Sequence, residues 1–489
     1  MSFFYSHLLS WLLLLPVLSA AGIALLPGGC VRLIRHLALV GGVLTVVLAA
    51  IIVAQYDSSQ SAMQLTEHYV WNARMGTSYT VGVDGFSVPM VMLNAVLCLI
   101  ALMASTGIKQ HVKGYYLLML LLETAISGVF VAQDWALFYV FWEMTLIPLF
   151  FLIDRWGGEN RQMAALNFVL YTMGGSVFML VSLLVLFDAV PNHSFAMPDM
   201  LKAAQELAPR QQVFIFLGLL IGFGVKMPIF PIHGWLPLAH VEAPSPVSIL
   251  LSGILLKMGA YGIIRATGML PDATHVLQVL LVVIGLLGIV YGGLLAWRQS
   301  DLKKMIAYSS VSHMGVVLLG ISTLNVTGMT GAVAQMTAHG LVAGATFMLI
   351  GMLYERTHTL DISQYSSLTR ITPRFAFFLV MAFIAAVGMP GSYGFVAELH
   401  ALVGGYQAWG WWVMLMSLGV IISAIYAIRT VGRLFTGPVR PSMQQVADMQ
   451  PMEMLAALML IGAIFLLGLC PAAWIALSEQ SIQQLVRIF

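Results

Sequence analysis

Runs of about 20 apolar residues, the length that crosses a hydrocarbon core as one helix, recur along the whole chain. That ruler predicts fourteen helices, near 8–27, 36–55, 83–106, 113–132, 135–153, 162–187, 212–230, 246–266, 275–297, 304–323, 328–354, 375–404, 409–434 and 452–475. Two long polar stretches, Tyr56 to Thr80 and Asp188 to Arg210, read as loops. Two of the apolar runs are broken internally. The seventh runs into Lys226-Met227-Pro228-Ile229-Phe230-Pro231, and the twelfth contains Gly388-Met389-Pro390-Gly391-Ser392-Tyr393-Gly394. Each proline removes a backbone donor and disfavours helix for the residue before it. Inside a membrane such a break survives only where protein or a watery cavity satisfies the freed groups.

The two breaks lie five spans apart, and blocks separated by an odd number of spans have opposite topology. The expected fold is therefore an all-α polytopic membrane protein of about fourteen transmembrane helices with two inverted five-helix repeats, each containing a broken helix. The repeats would occupy 113–267 and 268–437, flanked by residues 1–112 and 438–489. Paired Gly/Pro-broken helices in corresponding positions point to a transport site.

Composition supports this reading. The chain is 60% hydrophobic and only 9% charged, against roughly 25% charged in soluble domains. A net charge of +2 with no basic run argues against nucleic-acid binding. Cys30, Cys98 and Cys470 are far apart with no CxxC, which supports no disulfide framework, iron–sulfur cluster or zinc site, and all three read as small packing residues. No basic residue precedes the apolar run that starts at Leu8, so the first span reads as a retained helix and not a signal peptide. Alternating the loops between the two sides gathers fifteen of the 22 basic residues, from Arg32 to Arg440, on one side. By the positive-inside rule that side is cytoplasmic. Both termini then face away from it, and Arg265 lies at the opposite, non-cytoplasmic surface.

Few ionisable residues fall inside the spans: Glu123, Glu143, Lys226, Lys257, His313, His339 and Glu398. A charge at bilayer depth costs several kcal/mol and is a functional candidate by default. No nucleophile triad, metal-ligand set or phosphate loop is recognisable, so no cofactor or metal is assigned to the chain. The set does offer titratable groups on different helices. Burial lowers a lysine pKa and raises that of a glutamate, and an opposite charge stabilises both charged forms. A Glu143–Lys226 pair that opens and closes can thus switch a lysine between holding and releasing a proton, and His313 and His339 suit a relay because imidazole titrates near neutrality. Glu123 suits either lateral transfer to a neighbouring subunit or a structural role. His233 and His240 read as loop-structuring, and Asp301 as a helix cap whose Lys303 and Lys304 set topology.

Several motifs together resemble a known family. They are Phe141-Trp142-Glu143, Lys226-Met227-Pro228 through His233-Gly234-Trp235-Leu236-Pro237, Glu242-Ala243-Pro244, Gly253 to Gly262 around Lys257, Asp301 to Gly315 around His313, and Ala338-His339-Gly340. These resemble the antiporter-like subunits of respiratory complex I. Leu353-Tyr354-Glu355-Arg356 and Gly388-Met389-Pro390-Gly391, with Glu398 seven residues later, resemble the chain M type most closely. The longest antiporter-like subunit adds a lateral helix and a further span, for which no sequence follows the fourteenth span. Leu238 stands where the family commonly has aspartate, and Asp154-Arg155 where it is usually uncharged.

The resemblance implies a proton-translocating membrane-arm subunit of an NADH:quinone oxidoreductase in a bacterial inner membrane. Its proton path would run through Glu143, Lys226, Lys257, His313, His339 and Glu398. Partner subunits would carry FMN, iron–sulfur clusters and quinone, and neighbouring antiporter-like subunits would flank the chain. The alternatives are a subunit of a multi-subunit cation/proton antiporter, of an energy-converting hydrogenase or of a CO2-hydrating complex. A non-transporting scaffold would have no use for the buried charges.

Overall fold

The apolar runs form helices in the computed structural model, which describes residues 5–489. Helices α1 (Leu8–Leu25) and α2 (Val31–Gln55) come first. After them, α3 (Val88–Ala104), α4 (Val112–Val131), α5 (Trp135–Met144), α6 (Leu146–Trp156) and α7 (Arg161–Ala189) build the first part of the bundle. The short α8 (Met197–Glu206) precedes α9 (Pro209–Lys226), α10 (Trp235–Glu242), α11 (Ser245–Leu250) and α12 (Leu256–Met269). Then come α13 (Pro271–Arg298), α14 (Leu302–Ser322), α15 (Val326–Thr357), the single-turn α16 (Leu368–Ile371), α17 (Pro373–Ala386), α18 (Tyr393–Trp409), α19 (Met416–Phe435), α20 (Pro451–Leu469) and α21 (Ala472–Val486).

Twelve helical stretches among the described residues are long and apolar enough to cross a membrane. The difference from fourteen comes from the two broken stretches. Helix α9, which carries Arg210 and Lys226, falls outside this set, and α18 and α19 run on as one stretch from Tyr393 to Phe435. The central turns of helix α15 and of the α11–α12 span are enclosed by their neighbours. Helix α7 instead presents Leu166, Leu170, Val177 and Val181 outward, where lipid supplies the apolar surroundings. Helices α13 and α14 approach so closely that a Cβ on Gly315 would lie 2.6 Å from the Gly285 carbonyl oxygen. Only glycine permits that contact.

Three features depart from the sequence reading. The stretch expected as a loop from Tyr56 to Thr80 holds most of an antiparallel hairpin, β1 (Gln64–Asn72) and β2 (Thr77–Val83), with Tyr69 opposite Tyr79. Its turn closes at Gly76, whose φ of +62° suits glycine. The inward-facing Glu67 accepts the backbone N–H groups of Leu9 (2.9 Å) and Ser10 (3.0 Å) and the Ser10 hydroxyl, so the hairpin caps the start of α1. The second polar stretch contains α8, which buries Met197, Met200, Ala203 and Ala204 on one face. Of the cysteines, only Cys98 packs in the interior. Cys30 and Cys470 are exposed at helix ends, so the expectation of packing roles for all three holds for one.

Candidate functional site

Helix α9 stops at Lys226, and the residues Met227 to Gly234 run without helix to α10. The lysine is 1% exposed. Its position at the helix C-terminus sets its charge at the negative end of the helix dipole. The counter-element is a second, unexpected interruption, at Thr145 between α5 and α6. Pro148 has no N–H to give the carbonyl four residues back, and the neighbouring bonds Thr145 N–H to Trp142 O and Leu149 N–H to Thr145 O are stretched to 3.4 Å. The loosened turn faces Lys226. The lysine Nζ donates to Thr145 Oγ1 (2.8 Å) and to the Trp142 carbonyl (3.3 Å), and lies 4.2 Å from the centroid of the Trp142 ring.

The expected Glu143–Lys226 ion pair is open in this structure. The salt bridges among the described residues do not include it, and Glu143 Oε1 is buried without a hydrogen-bond partner. Lys226 is held by its own cation–π and hydroxyl contacts, while Glu143, one residue from the tryptophan that cradles the lysine, is engaged by Tyr139 and leaves Oε1 without a partner.

Lys257 follows a π-helical turn, Leu251–Leu255, between α11 and α12. A π turn is a frequent mark of a functional position. Here it leaves the Ser252 carbonyl to accept the lysine Nζ at 2.6 Å. The same Nζ lies 2.6 Å from Nδ1 of His339 on α15. Both groups are buried. The His339 ring lies 5.4 Å, centroid to centroid, from that of His313 on α14. His313 Nδ1 is in turn 3.5 Å from Glu398 Oε1 on α18 and 3.1 Å from Gln335 Nε2. Four titratable groups from four helices thus form one line, Lys257–His339–His313–Glu398. Every step is within reach of a direct hydrogen bond or a single bridging water.

The far end of the line depends on the second break. Gly388 has φ +72°, and a Cβ there would sit 2.5 Å from Glu398 Oε2. The glycine both turns the chain and leaves room for the carboxylate. Ser392 then caps α18, its Oγ accepting Phe395 N–H at 3.4 Å.

The remaining candidates lie elsewhere. Glu123 on α4 is fully buried, its carboxylate oxygens have no hydrogen-bond partner, and it contacts none of the residues of the line; its backbone carbonyl accepts Asn94 Nδ2 at 3.1 Å. His233 packs in the loop near Phe230 and Tyr291, as a loop-structuring residue would. His240 does not fit that expectation. It is fully buried on α10, stacked on Phe347 at 4.4 Å, and neither ring nitrogen has a partner. Lys303 also turns inward, donating to the Ala243 carbonyl at 2.8 Å, whereas Asp301 caps α14 as expected through Lys304 N–H at 2.8 Å. Leu238 is exposed, and Asp154 pairs loosely with Arg155 at 3.7 Å, both apart from the line. Sequence reasoning missed Thr145, Ser252 and Gln335, and misread His240. Of these, only Thr145 carried a signal, through Pro148.

Comparison with known proteins gives a consistent picture. The family described as NADH:quinone oxidoreductase/Mrp antiporter, transmembrane, matches residues 132–425. A Synechococcus protein, NAD(P)H-quinone oxidoreductase chain 4 1, is 38% identical over 475 residues, covering 95% of this chain and 89% of its own length. NADH-quinone oxidoreductase subunit M of Rickettsia conorii is 35% identical and aligns over 93% of each chain. A chain in the structure of respiratory complex I from Thermus thermophilus with bound NADH superposes with a TM-score of 0.89 at 31% identity, covering 98% of this chain and 99% of that one.

Proposed function

Because the chain belongs to the NADH:quinone oxidoreductase/Mrp antiporter transmembrane family, we propose that it is a proton-translocating membrane-arm subunit of an NADH:quinone oxidoreductase. In this reading quinone reduction in partner subunits drives a proton along its buried line. The observation that carries the proposal is the succession Lys257–His339–His313–Glu398, each neighbour within about 5 Å of the next, with Lys226 and Glu143 proposed as its entrance. Partner chains would carry FMN, the iron–sulfur clusters and quinone, and the membrane would be a bacterial inner membrane with both termini on the non-cytoplasmic side.

Closure of Glu143 onto Lys226 would stabilise the lysine charge, and opening would withdraw that support and send the proton onward. Moving one charge against the membrane potential costs about 2.3 kcal/mol per 100 mV. A change of two pKa units at one group is worth about 2.7 kcal/mol, so ion-pair switching has the right size. The two repeats, 113–267 and 268–437, give the machine its form: Lys226 at the first break meets Trp142 and Thr145 of the fifth span, and Glu398 after the second break meets His313 of the tenth. Those partners are themselves five spans apart, which supports the inverted relation.

The test is Lys226→Met in the intact complex. Assembly should persist while the protons moved per electron fall sharply; unaltered stoichiometry would sink the proposal. Co-purification from native membranes separates the related reading. Redox partners and NADH:quinone activity support the oxidoreductase, whereas cation-antiporter partners alone would make the same line a sodium/proton exchanger.

A further inference from the structure

Helix α12 carries Lys257, Tyr261 and Arg265 at four-residue spacing, so the three stand on one face with a rise of about 6 Å between neighbours. Lys257 turns sideways to His339. The two residues beyond it lead straight to the hairpin-side surface of the bundle. Tyr261 is fully buried, and its hydroxyl donates to the Phe130 carbonyl at 3.3 Å. Arg265 Nη2 donates to the same hydroxyl at 2.8 Å, and Arg265 Nη1 lies 2.6 Å from Asp84 Oδ2. The guanidinium also sits 4.8 Å from the Tyr261 ring centroid and 5.7 Å from that of Phe86.

Asp84 is not free to follow a moving partner. Its Oδ1 accepts Phe86 N–H and Ser87 N–H, each at 3.1 Å, at the start of α3. Directly outside the pair lies a cavity of about 370 Å³ walled by Asp84, Phe86, Gln133, Trp135, Arg265 and Ser481. The arrangement is thus a vestibule whose inner wall is an anchored ion pair, then a buried tyrosine, then the lysine of the proton line.

We propose that Tyr261, Arg265 and Asp84 form a seal that closes the shortest way from Lys257 to the non-cytoplasmic surface. The proposal rests on the proton-translocating reading above. A guanidinium stays charged under all physiological conditions, and a fixed arginine in a polar passage repels protons and cations. Held by Asp84, it cannot swing into the vestibule and open the passage. The tyrosine fills the section behind it, so a proton on Lys257 has one open neighbour, His339. Without the seal, the line would short-circuit.

The experiment measures passive proton leak, with no NADH or quinone present, in vesicles containing the purified complex and a trapped pH-sensitive dye. Arg265→Gln should raise the leak clearly above the wild-type level, and the added substitution Lys257→Met should return it to that level. Quinone reductase activity in detergent serves only to show that the complex has assembled. A wild-type leak in assembled Arg265→Gln complex overturns the seal, as does a leak that Lys257→Met leaves untouched. Should Arg265→Gln fail to assemble, Asp84→Asn decides. It keeps the size of the side chain but releases the guanidinium, and it should raise the leak; an unchanged leak overturns the proposal. Because no substrate is present, these outcomes are independent of the Lys226→Met result. A failed pumping mechanism and a failed seal are therefore told apart.

Discussion

Gly388 sets the position of the last carboxylate on the line, and its replacement by alanine gives a quantitative test. Two costs arise. At φ +72° a side chain of any kind strains the backbone by about 1–2 kcal/mol. In addition, the new Cβ would lie 2.5 Å from Glu398 Oε2, so the carboxylate must retreat by about 1 Å to reach ordinary contact. Glu398 Oε1 now stands 3.5 Å from His313 Nδ1. With an effective dielectric of about 20, opposite charges attract by about 5 kcal/mol at that distance and by about 4 kcal/mol once it has grown by about 1 Å. A loss of about 1 kcal/mol in that contact corresponds to a factor of about five. Gly391 supplies the control. It has φ +95° with nothing within 4 Å of a built Cβ, so Gly391→Ala carries the backbone strain without displacing Glu398. Both variants should lower the thermal stability of the complex, Gly388→Ala by more because it adds the contact with Glu398. In proteoliposomes energised with NADH and quinone, only Gly388→Ala should show the roughly fivefold loss of dye-reported proton uptake. Equal pumping by the two variants would refute the assignment of Glu398 to the path.

The cradle of Lys226 predicts that Thr145→Val, which deletes the 2.8 Å acceptor, slows NADH-driven pumping by about tenfold, a hydrogen bond to a charged group being worth about 1.5–3 kcal/mol; Thr145→Ser should restore it. The surface contact between residues 300–302 and 360–362 should loosen in acid. Ser363 hydrogen bonds hold the Asp361 carboxyl below the usual aspartate range. A depressed acid stabilises the folded form above its unfolded pKa, and that support is lost as the pH falls through the folded value. The protection of the Leu302 and Ile362 amides, which bond to Leu360 and Ser300 across this contact, measured against the intrinsic exchange rate at each pH, should therefore fall at low pH. A fall of equal size in Asp361→Asn would refute the link.

Much of this architecture could be read from the chain because a membrane makes the rules severe. An uninterrupted apolar run has few alternatives to a helix, and Lys226 and Lys257 stand out because lipid tolerates no isolated ammonium. The two proline- and glycine-rich breaks were visible for the same reason. What stayed hidden depends on tertiary proximity. That Lys226 would rest on Thr145 and not on Glu143 follows from how α9 meets the loosened turn, and Pro148 announces the loosening but not the partner. The π turn before Lys257 has no strong local signature, and the freed Ser252 carbonyl appears only with the fold. His240 looked like a loop residue because α10 is one short helix between two breaks. The hairpin was overlooked because its alternation of aromatic and polar residues is weak beside the long apolar runs. The order Lys257, His339, His313, Glu398 does not follow chain order, so sequence alone could name its members but not their succession.

The capping of α1 by Glu67 has a consequence for biosynthesis. Leu9 and Ser10 receive their carboxylate partner from a residue 58 and 57 positions further along the chain. When α1 leaves the ribosome its first turn has no such partner, and it acquires one only after α2 has been made and the hairpin has closed. The first turn of α1 therefore stays uncapped until that strand arrives. A chain halted beyond Val83 should be the first in which Leu9 and Ser10 are held by Glu67.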